Sequence, residues 1–181
     1  MIDQRLAAFI HAQHMFFVAT APLDPDGHVN LSPKGLDTFR VLAPTSIAYL
    51  DLMGSGIETV AHLKDNGRIV FMFCAFQGPP RILRLYGRGE ALEPGHPEFE
   101  ALLREFPPTP GVRTVVRVIL DRVAESCGKG VPRYLHESER TDLLDEYASG
   151  RPEDFREYQA RENRHSVDGL PGMDLPEPGS E

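Results

Sequence analysis

The chain has no tryptophan, only two cysteines, and no apolar run in its 181 residues long enough to cross a membrane. Cys74 and Cys127 are too few for a disulfide framework, so the fold has to rest on a packed core. Basic residues are also scarce: 19 Lys and Arg stand against 27 Asp and Glu, a formal net charge of −8. A protein of that sign is repelled by phosphate backbones and anionic lipids, which argues against nucleic acid or a membrane as partner. Several signatures of known chemistry are missing as well. There is no Walker phosphate loop, no CxxC pair, no HExxH and no elbow presenting a nucleophile. The seven histidines are scattered, and His28, His62 and His136 do not stand at metal-ligand spacing, so no metal site is expected.

The acidity is local. Residues 1–136 hold 14 acidic and 14 basic residues, whereas residues 137–181 hold 13 acidic and 5 basic. An anion is therefore expected only at a small local site in the neutral part. With 41% hydrophobic residues in 20.2 kDa, the chain suits one domain of ordinary size. Its first residues carry no signal-peptide pattern, and a cytoplasmic protein is expected. The organisation read from the sequence is a β-rich domain over 1–125, a loop and helices over 126–172 packed on the same domain, and a flexible, acidic, proline-rich tail over 173–181.

What is present centres on the stretch from His28 to Phe76. Ser55-Gly56-Ile57-Glu58 reads as a capping box opening a helix from about Gly56 to Asn66, closed by Gly67. Strand-like segments flank it, Ser46 to Leu50 before and Arg68 to Phe76 after, the latter apolar on both faces and so expected to be central and fully buried. A helix start offers free amides and partial positive charge to an anion. Gly54 and Gly56 permit close backbone approach, and Ser55 and Thr59 add hydroxyls. The same run also serves as a plain strand-to-helix turn, and a capping Glu58 needs no further role. Upstream, Asp24-Pro25-Asp26-Gly27 turns the chain between Met15–Ala21 and His28–Ser32, which reads as a hairpin. In its second strand His28, Asn30 and Ser32 share a polar face, as in a wall beside a ligand or in any half-exposed strand. Pro33 is expected to end or bulge that pairing, leaving Lys34 at a strand end, either as a surface lysine or as a cation for an anionic ligand.

The remaining segments complete the pattern. Phe39–Leu42 pairs with Ser46–Leu50, Arg81–Ala91 alternates with Arg84 mid-strand, and Arg113–Glu125 is a long last strand. Helices are expected at Asp3–Gln13, Pro97–Phe106, Ser138–Tyr147 and Glu153–His165. About seven strands without βαβ alternation favour an antiparallel barrel over a doubly wound sheet.

The ordered set HVNLSPKG, AYLDLMGSGIETVAHLKDNGRIVFMFCAF and PPRILRLYGRGEAL resembles the pyridoxamine 5'-phosphate oxidase-like FMN-binding split barrels, and CGKGVP and ENRHSVDGLPG resemble one bacterial and fungal branch of them. The likeness runs from about Met15 to Gly172. It implies a mainly β fold with flanking helices, a split antiparallel β-barrel that forms a homodimer with FMN at the subunit interface. It implies that Asn30 and Ser32-Pro33-Lys34-Gly35 line the isoalloxazine, that the loop after Asp51 faces the phosphate, and that a small substrate or a nicotinamide donor meets the flavin; related barrels use a deazaflavin instead. True pyridoxamine phosphate oxidases carry an Arg-Lys pair at the start of the helix, where this chain has Glu58-Thr59. They also carry a Gln in the following strand, where Ile82 or Arg84 stands here, and Arg164-His165 does not reproduce their substrate-binding pattern. The resemblance thus implies a flavoprotein whose phosphate rests on helix amides, Ser55, Gly56, Thr59 and Arg84, acting as an FMN-dependent oxidoreductase on a different substrate, or binding flavin without turnover.

Overall fold

The computed structural model describes residues 1–176. Seven strands are present: β1 Phe16–Thr20, β2 Asn30–Lys34, β3 Phe39–Ala43, β4 Ser46–Leu52, β5 Arg68–Cys74, β6 Ile82–Leu92 and β7 Val112–Ser126. α1 Gln4–His11 precedes them, α2 Glu58–Asn66 separates β4 from β5, α3 Phe99–Leu103 separates β6 from β7, and α4 Asp142–Ser149 and α5 Pro152–Glu162 follow. All pairings are antiparallel, in the order β2-β1-β5-β6-β7-β4-β3.

The sheet rolls onto itself. Four strands stand between β1 and β3 in the sheet order, yet the ring centroids of Phe16 and Phe39 are 5.1 Å apart. Phe39 also meets Phe71 and Phe73 of β5, at 5.6 and 5.1 Å. Alternate residues of each strand point into this aromatic centre: Val18, Ile69, Leu83, Leu85, Val116 and Val118 are all buried in it. The result is a split barrel with β2 and β3 as the two ends of its sheet. A second cluster, with Leu50, Leu92 and Val115 beneath Phe99 and Phe106, seats α3 on the outside.

The structure departs from the sequence reading in four places. Pairing does not stop at Pro33: Phe17 pairs with Pro33 and Phe16 with Lys34. β2 is an edge strand, so a residue without an N–H costs the ladder nothing on its open side. The capping box does not form: Ile57 is the N-cap of α2, without a side-chain cap, and the helix begins at Glu58. β5 is central but not buried on both faces, since Val70 and Met72 remain half-exposed on its outer side. Finally, the C-terminal helices are shifted, and α5 stops at Glu162, where the chain turns into a short bridge between His165 and Pro171.

Beyond β7, contacts with the barrel are few but specific. The Tyr147 hydroxyl donates to the Met53 carbonyl at 2.7 Å and its ring packs edge-on against Phe155 of α5. Met173, at the start of the expected tail, is buried against Ile57 and Val60 of α2. Residues 177–181 of that tail lie outside the described residues. No described helix is long and apolar enough to cross a membrane.

The β6–β7 pairing carries a register shift between Tyr86 and Gly87. A Cβ at Gly87 would stand 2.3 Å from the Ile119 carbonyl oxygen, so only glycine lets β7 approach here, whereas a Cβ at Gly130 would meet nothing. Gly87→Ala is expected to lower unfolding stability by about 1–3 kcal/mol, and Gly130→Ala to stay within about 0.5 kcal/mol, both read by chemical denaturation. Equal behaviour of the two variants would show that β7 has room at Gly87.

Candidate functional site

The end of β2, the end of β4 and the start of β7 converge on one buried carboxylate. Asp51 is fully buried; Lys34 Nζ donates to its Oδ1 at 3.0 Å and Arg113 Nε to its Oδ2 at 2.7 Å. The rest of the Arg113 guanidinium holds the following loop from behind, donating to the carbonyls of Gly54 at 3.1 Å and Gly56 at 2.6 Å. Arg113 is itself only 4% exposed. The loop that leads into α2 is thus shaped by a cation on its inner side, leaving Ser55 and Gly56 exposed on its outer side.

Beside this triad runs a chain of polar groups from β2 to α2. Ser32 Oγ donates to Asn30 Oδ1 at 3.0 Å, and Asn30 Nδ2 donates to Thr59 Oγ1 at 3.0 Å and to Thr20 Oγ1 at 3.2 Å. Thr20 in turn shares a hydrogen bond of 2.9 Å with Nδ1 of the buried His62. Burial lowers the pKa of His62, since a charged imidazole loses its hydration there. The alternation of β2 explains the arrangement: Asn30, Ser32 and Lys34 take one face, Val29 and Leu31 the other.

A C-terminal segment walls one end of this cleft. Asn163 Nδ2 donates to the Gly54 carbonyl at 2.8 Å, and the Val167 amide donates to Glu58 Oε1 at 3.3 Å. His28 donates from its backbone N and reaches through Nδ1 to the Asp168 carboxylate at 2.8 and 2.6 Å. That hydrogen bond raises the His28 pKa and lowers that of Asp168. Lys64 Nζ donates to the Gly172 carbonyl at 2.6 Å.

The fold therefore brings Asn30, Ser32 and Lys34, with the Pro33 and Gly35 backbone, beside the α2 start of Ser55, Gly56, Glu58 and Thr59, with Asp51 beneath them and the Pro33 ring on the other face of β2. Two of the sequence-predicted residues take other positions. Asp51 is spent on Lys34 and Arg113 and shows no surface to a ligand. Arg84 points from the opposite face of the sheet, because Leu83 and Leu85 on either side of it are buried inward; its NH1 donates to Ser126 Oγ at 3.0 Å. Glu58 turns back over the loop, with Oε2 2.7 Å from where a Gly56 Cβ would be. Sequence reasoning passed over Arg113, Thr20, His62, Asn163 and Asp168. Only Arg113 carried a signal, a charged residue inside a run of apolar strand positions, the feature that drew attention to Arg84.

Burial alone raises the pKa of Asp51, but the Lys34 and Arg113 charges and their hydrogen bonds outweigh it, and the net shift is downward. A depressed folded-state value means that the carboxylate stabilises the fold above the unfolded value of about 3.9 and loses that contribution as pH falls through the lower folded value. Asp51→Asn strands two cations and is expected to cost about 3–5 kcal/mol at pH 7. The cost should shrink as wild-type stability drops below pH ~4. Urea titrations of both proteins at pH 7 and pH 3 check this; the same difference at both values would exclude Asp51 as the acid-sensitive group.

The geometry can be set beside known proteins. The family model described as pyridoxamine 5'-phosphate oxidase matches residues 2–127. The pyridoxamine 5'-phosphate oxidase family protein ustO of Aspergillus flavus is 37% identical over 179 residues, covering 89% of this chain and 71% of that protein. Among solved structures, HupZ of Group A Streptococcus superposes with a TM-score of 0.54 at 23% identity, covering 68% of this chain and 92% of that one. A candidate pyridoxamine 5'-phosphate oxidase of Lactobacillus delbrueckii superposes with a TM-score of 0.51 at 19% identity, covering 68% and 93%. The two superpositions speak for the split barrel alone. The family model goes further and spans all seven strands and the α2 loop, and the fungal relative matches 89% of the chain: the chain belongs to the pyridoxamine 5'-phosphate oxidase family.

Proposed function

We propose that the cleft between β2 and the start of α2 binds FMN, and that the protein is an FMN-dependent oxidoreductase acting on a small substrate as a homodimer with the flavin at the subunit interface. The observation that carries this is the row Asn30, Ser32 and Lys34 facing an α2 first turn that has no side-chain cap. A flavin presents ring and ribityl groups to such a row and an anion to such a helix start. The residues present fit that ligand. A Cβ at Gly54 would meet nothing, so the loop is open to close approach, and the buried Asn163 Oδ1 beside it has no partner among the described residues. Lys34 and Arg113 with Asp51 carry one formal positive charge in excess, which makes up part of the two charges of the absent Arg-Lys pair. Asn30, Ser32, Lys34 and the backbone of Pro33 and Gly35 would hold the ring; Ser55, Gly56, Thr59 and the first-turn amides would hold the phosphate. FMN would supply the electron transfer when bound, and a nicotinamide is the donor class that suits it.

The outer sheet face supports the dimer. Leu31 on β2 and Val29 just before it are 63% and 73% exposed, and they adjoin half-exposed Phe17, Val70 and Met72. An apolar face of this kind on a central sheet asks for a cover. Arg84 lies on this same face, so it reaches a flavin only across the interface.

Glu58 favours a second reading. Its carboxylate stands at the loop, where a phosphate is repelled. A deazaflavin or a flavin held mainly by its ring, with any phosphate turned away from Glu58, avoids that cost, and a flavin bound without turnover is the other form of this reading.

Purified protein mixed with FMN and passed through gel filtration should keep a yellow flavin spectrum at close to one FMN per chain; colourless protein would overturn the FMN reading and make a deazaflavin the next ligand to test. Ser55→Ala with Thr59→Ala should weaken FMN about tenfold or more, the loss of one to two hydrogen bonds to a charged group, and unchanged affinity would remove the phosphate from this loop. Bleaching of the bound flavin by a reduced nicotinamide separates an oxidoreductase from a flavin store.

The interface has its own test. Leu31→Glu should shift the protein from dimer to monomer in light-scattering measurements and release FMN with it. A dimer that survives the change would place the interface elsewhere.

A further inference from the structure

Away from the cleft, three side chains that no part of the flavin reading uses come together. His14 follows α1, and His136 and Glu139 lie in the irregular stretch between β7 and α4. His14 Nδ1 and His136 Nε2 stand 3.1 and 3.0 Å from the same Glu139 oxygen, Oε1, and the two imidazole rings stack with centroids 3.6 Å apart. All three donor atoms lie within 4.8 Å of one another. Ligands at about 2.0–2.2 Å in a tetrahedral shell stand roughly 3.3 Å apart, so the two nitrogen–oxygen separations are already near the spacing that one ion imposes, and the parallel rings have to turn out of their stack for both in-plane lone pairs to meet it.

We propose that His14, His136 and Glu139 form a divalent transition-metal site of the zinc class. Two imidazoles and one carboxylate are a donor set for zinc or a similar borderline ion, not for magnesium or calcium, which take oxygen ligands. Three protein ligands leave a fourth position open. That position has access to solvent, since all three residues are exposed, and to a neighbouring cavity of about 580 Å³ bordered by His14, His136, Phe76 and Tyr134. The site also answers a structural question. Residues 132–141 have exposed side chains and no regular structure, yet the stretch is laid against the barrel. Besides the histidines, the Tyr134 amide bonded to the Phe76 carbonyl at 3.1 Å and the Phe76–Tyr134 ring pair hold it there. An ion joining residues 14 and 136 would be the missing cross-link. Sequence spacing gives no hint of it, because the first two ligands are 122 positions apart and the fold alone brings them together.

The test uses tag-free protein with zinc, in competition with a chromophoric chelator, and with cobalt as a spectroscopic probe. One zinc per chain is expected, together with the visible absorption of tetrahedral cobalt. Both should be lost in His14→Ala and in His136→Ala, exposed substitutions that leave the core intact. Zinc should also slow proteolytic cleavage within residues 131–141 of the wild type and not of the variants. No uptake above the level of the variants would mean that the histidines only share a hydrogen-bonding carboxylate, and uptake that survives both substitutions would place the metal elsewhere; either result overturns the proposal.

Discussion

A carboxylate with no access to water holds this protein's cleft in place. Asp51 sits inside the barrel, where an isolated charge costs several kcal/mol, and it is tolerated because Lys34 and Arg113 reach it from two different strands. The pairing fixes the edge strand β2 against the rest of the sheet at the point where the barrel is split. It also orients Arg113, whose remaining N–H groups take up the carbonyls of Gly54 and Gly56. With those carbonyls turned inward, the loop shows its other side to the cleft. The local shape of the candidate site therefore depends on a carboxylate that is itself closed to solvent.

The sheet's two faces have different needs. The inner face is satisfied by the aromatic cluster around Phe16, Phe39, Tyr49 and Phe71, whose rings meet edge-on or tilted. The outer face of β1, β2 and β5 is largely apolar, with Arg84 and Tyr86 of β6 beside it, and no described helix lies over it, whereas α3 covers β4 and the first part of β7. That asymmetry, and not the hydrophobicity of any one strand, is what gives the outer face its meaning.

Strand number, antiparallel pairing and most element boundaries were legible in the sequence because alternation and turn residues are local signals. Asn30, Ser32 and Lys34 were legible as a polar face for the same reason. The helix start was misread because a Ser55-to-Glu58 capping box and a plain loop share one pattern, and the choice between them was made by Arg113, 58 positions beyond Ser55. Val70 and Met72 were misread because an apolar strand does not say whether its cover comes from its own chain. Asn163 and Asp168 lie in the ENRHSVDGLPG stretch that carries part of the family resemblance, but nothing local marked what they do: a polar residue in such a segment looks the same whether it faces water or packs against a loop.

The segment from Asn163 to Met173 gives the cleft a history as well as a shape. Its contacts with Gly54, Glu58 and Lys64 join residues 109, 109 and 108 positions apart. On a ribosome the barrel strands emerge first. The nascent protein therefore passes through a stage in which β2 and α2 can already stand in place while the wall beside them has yet to be made.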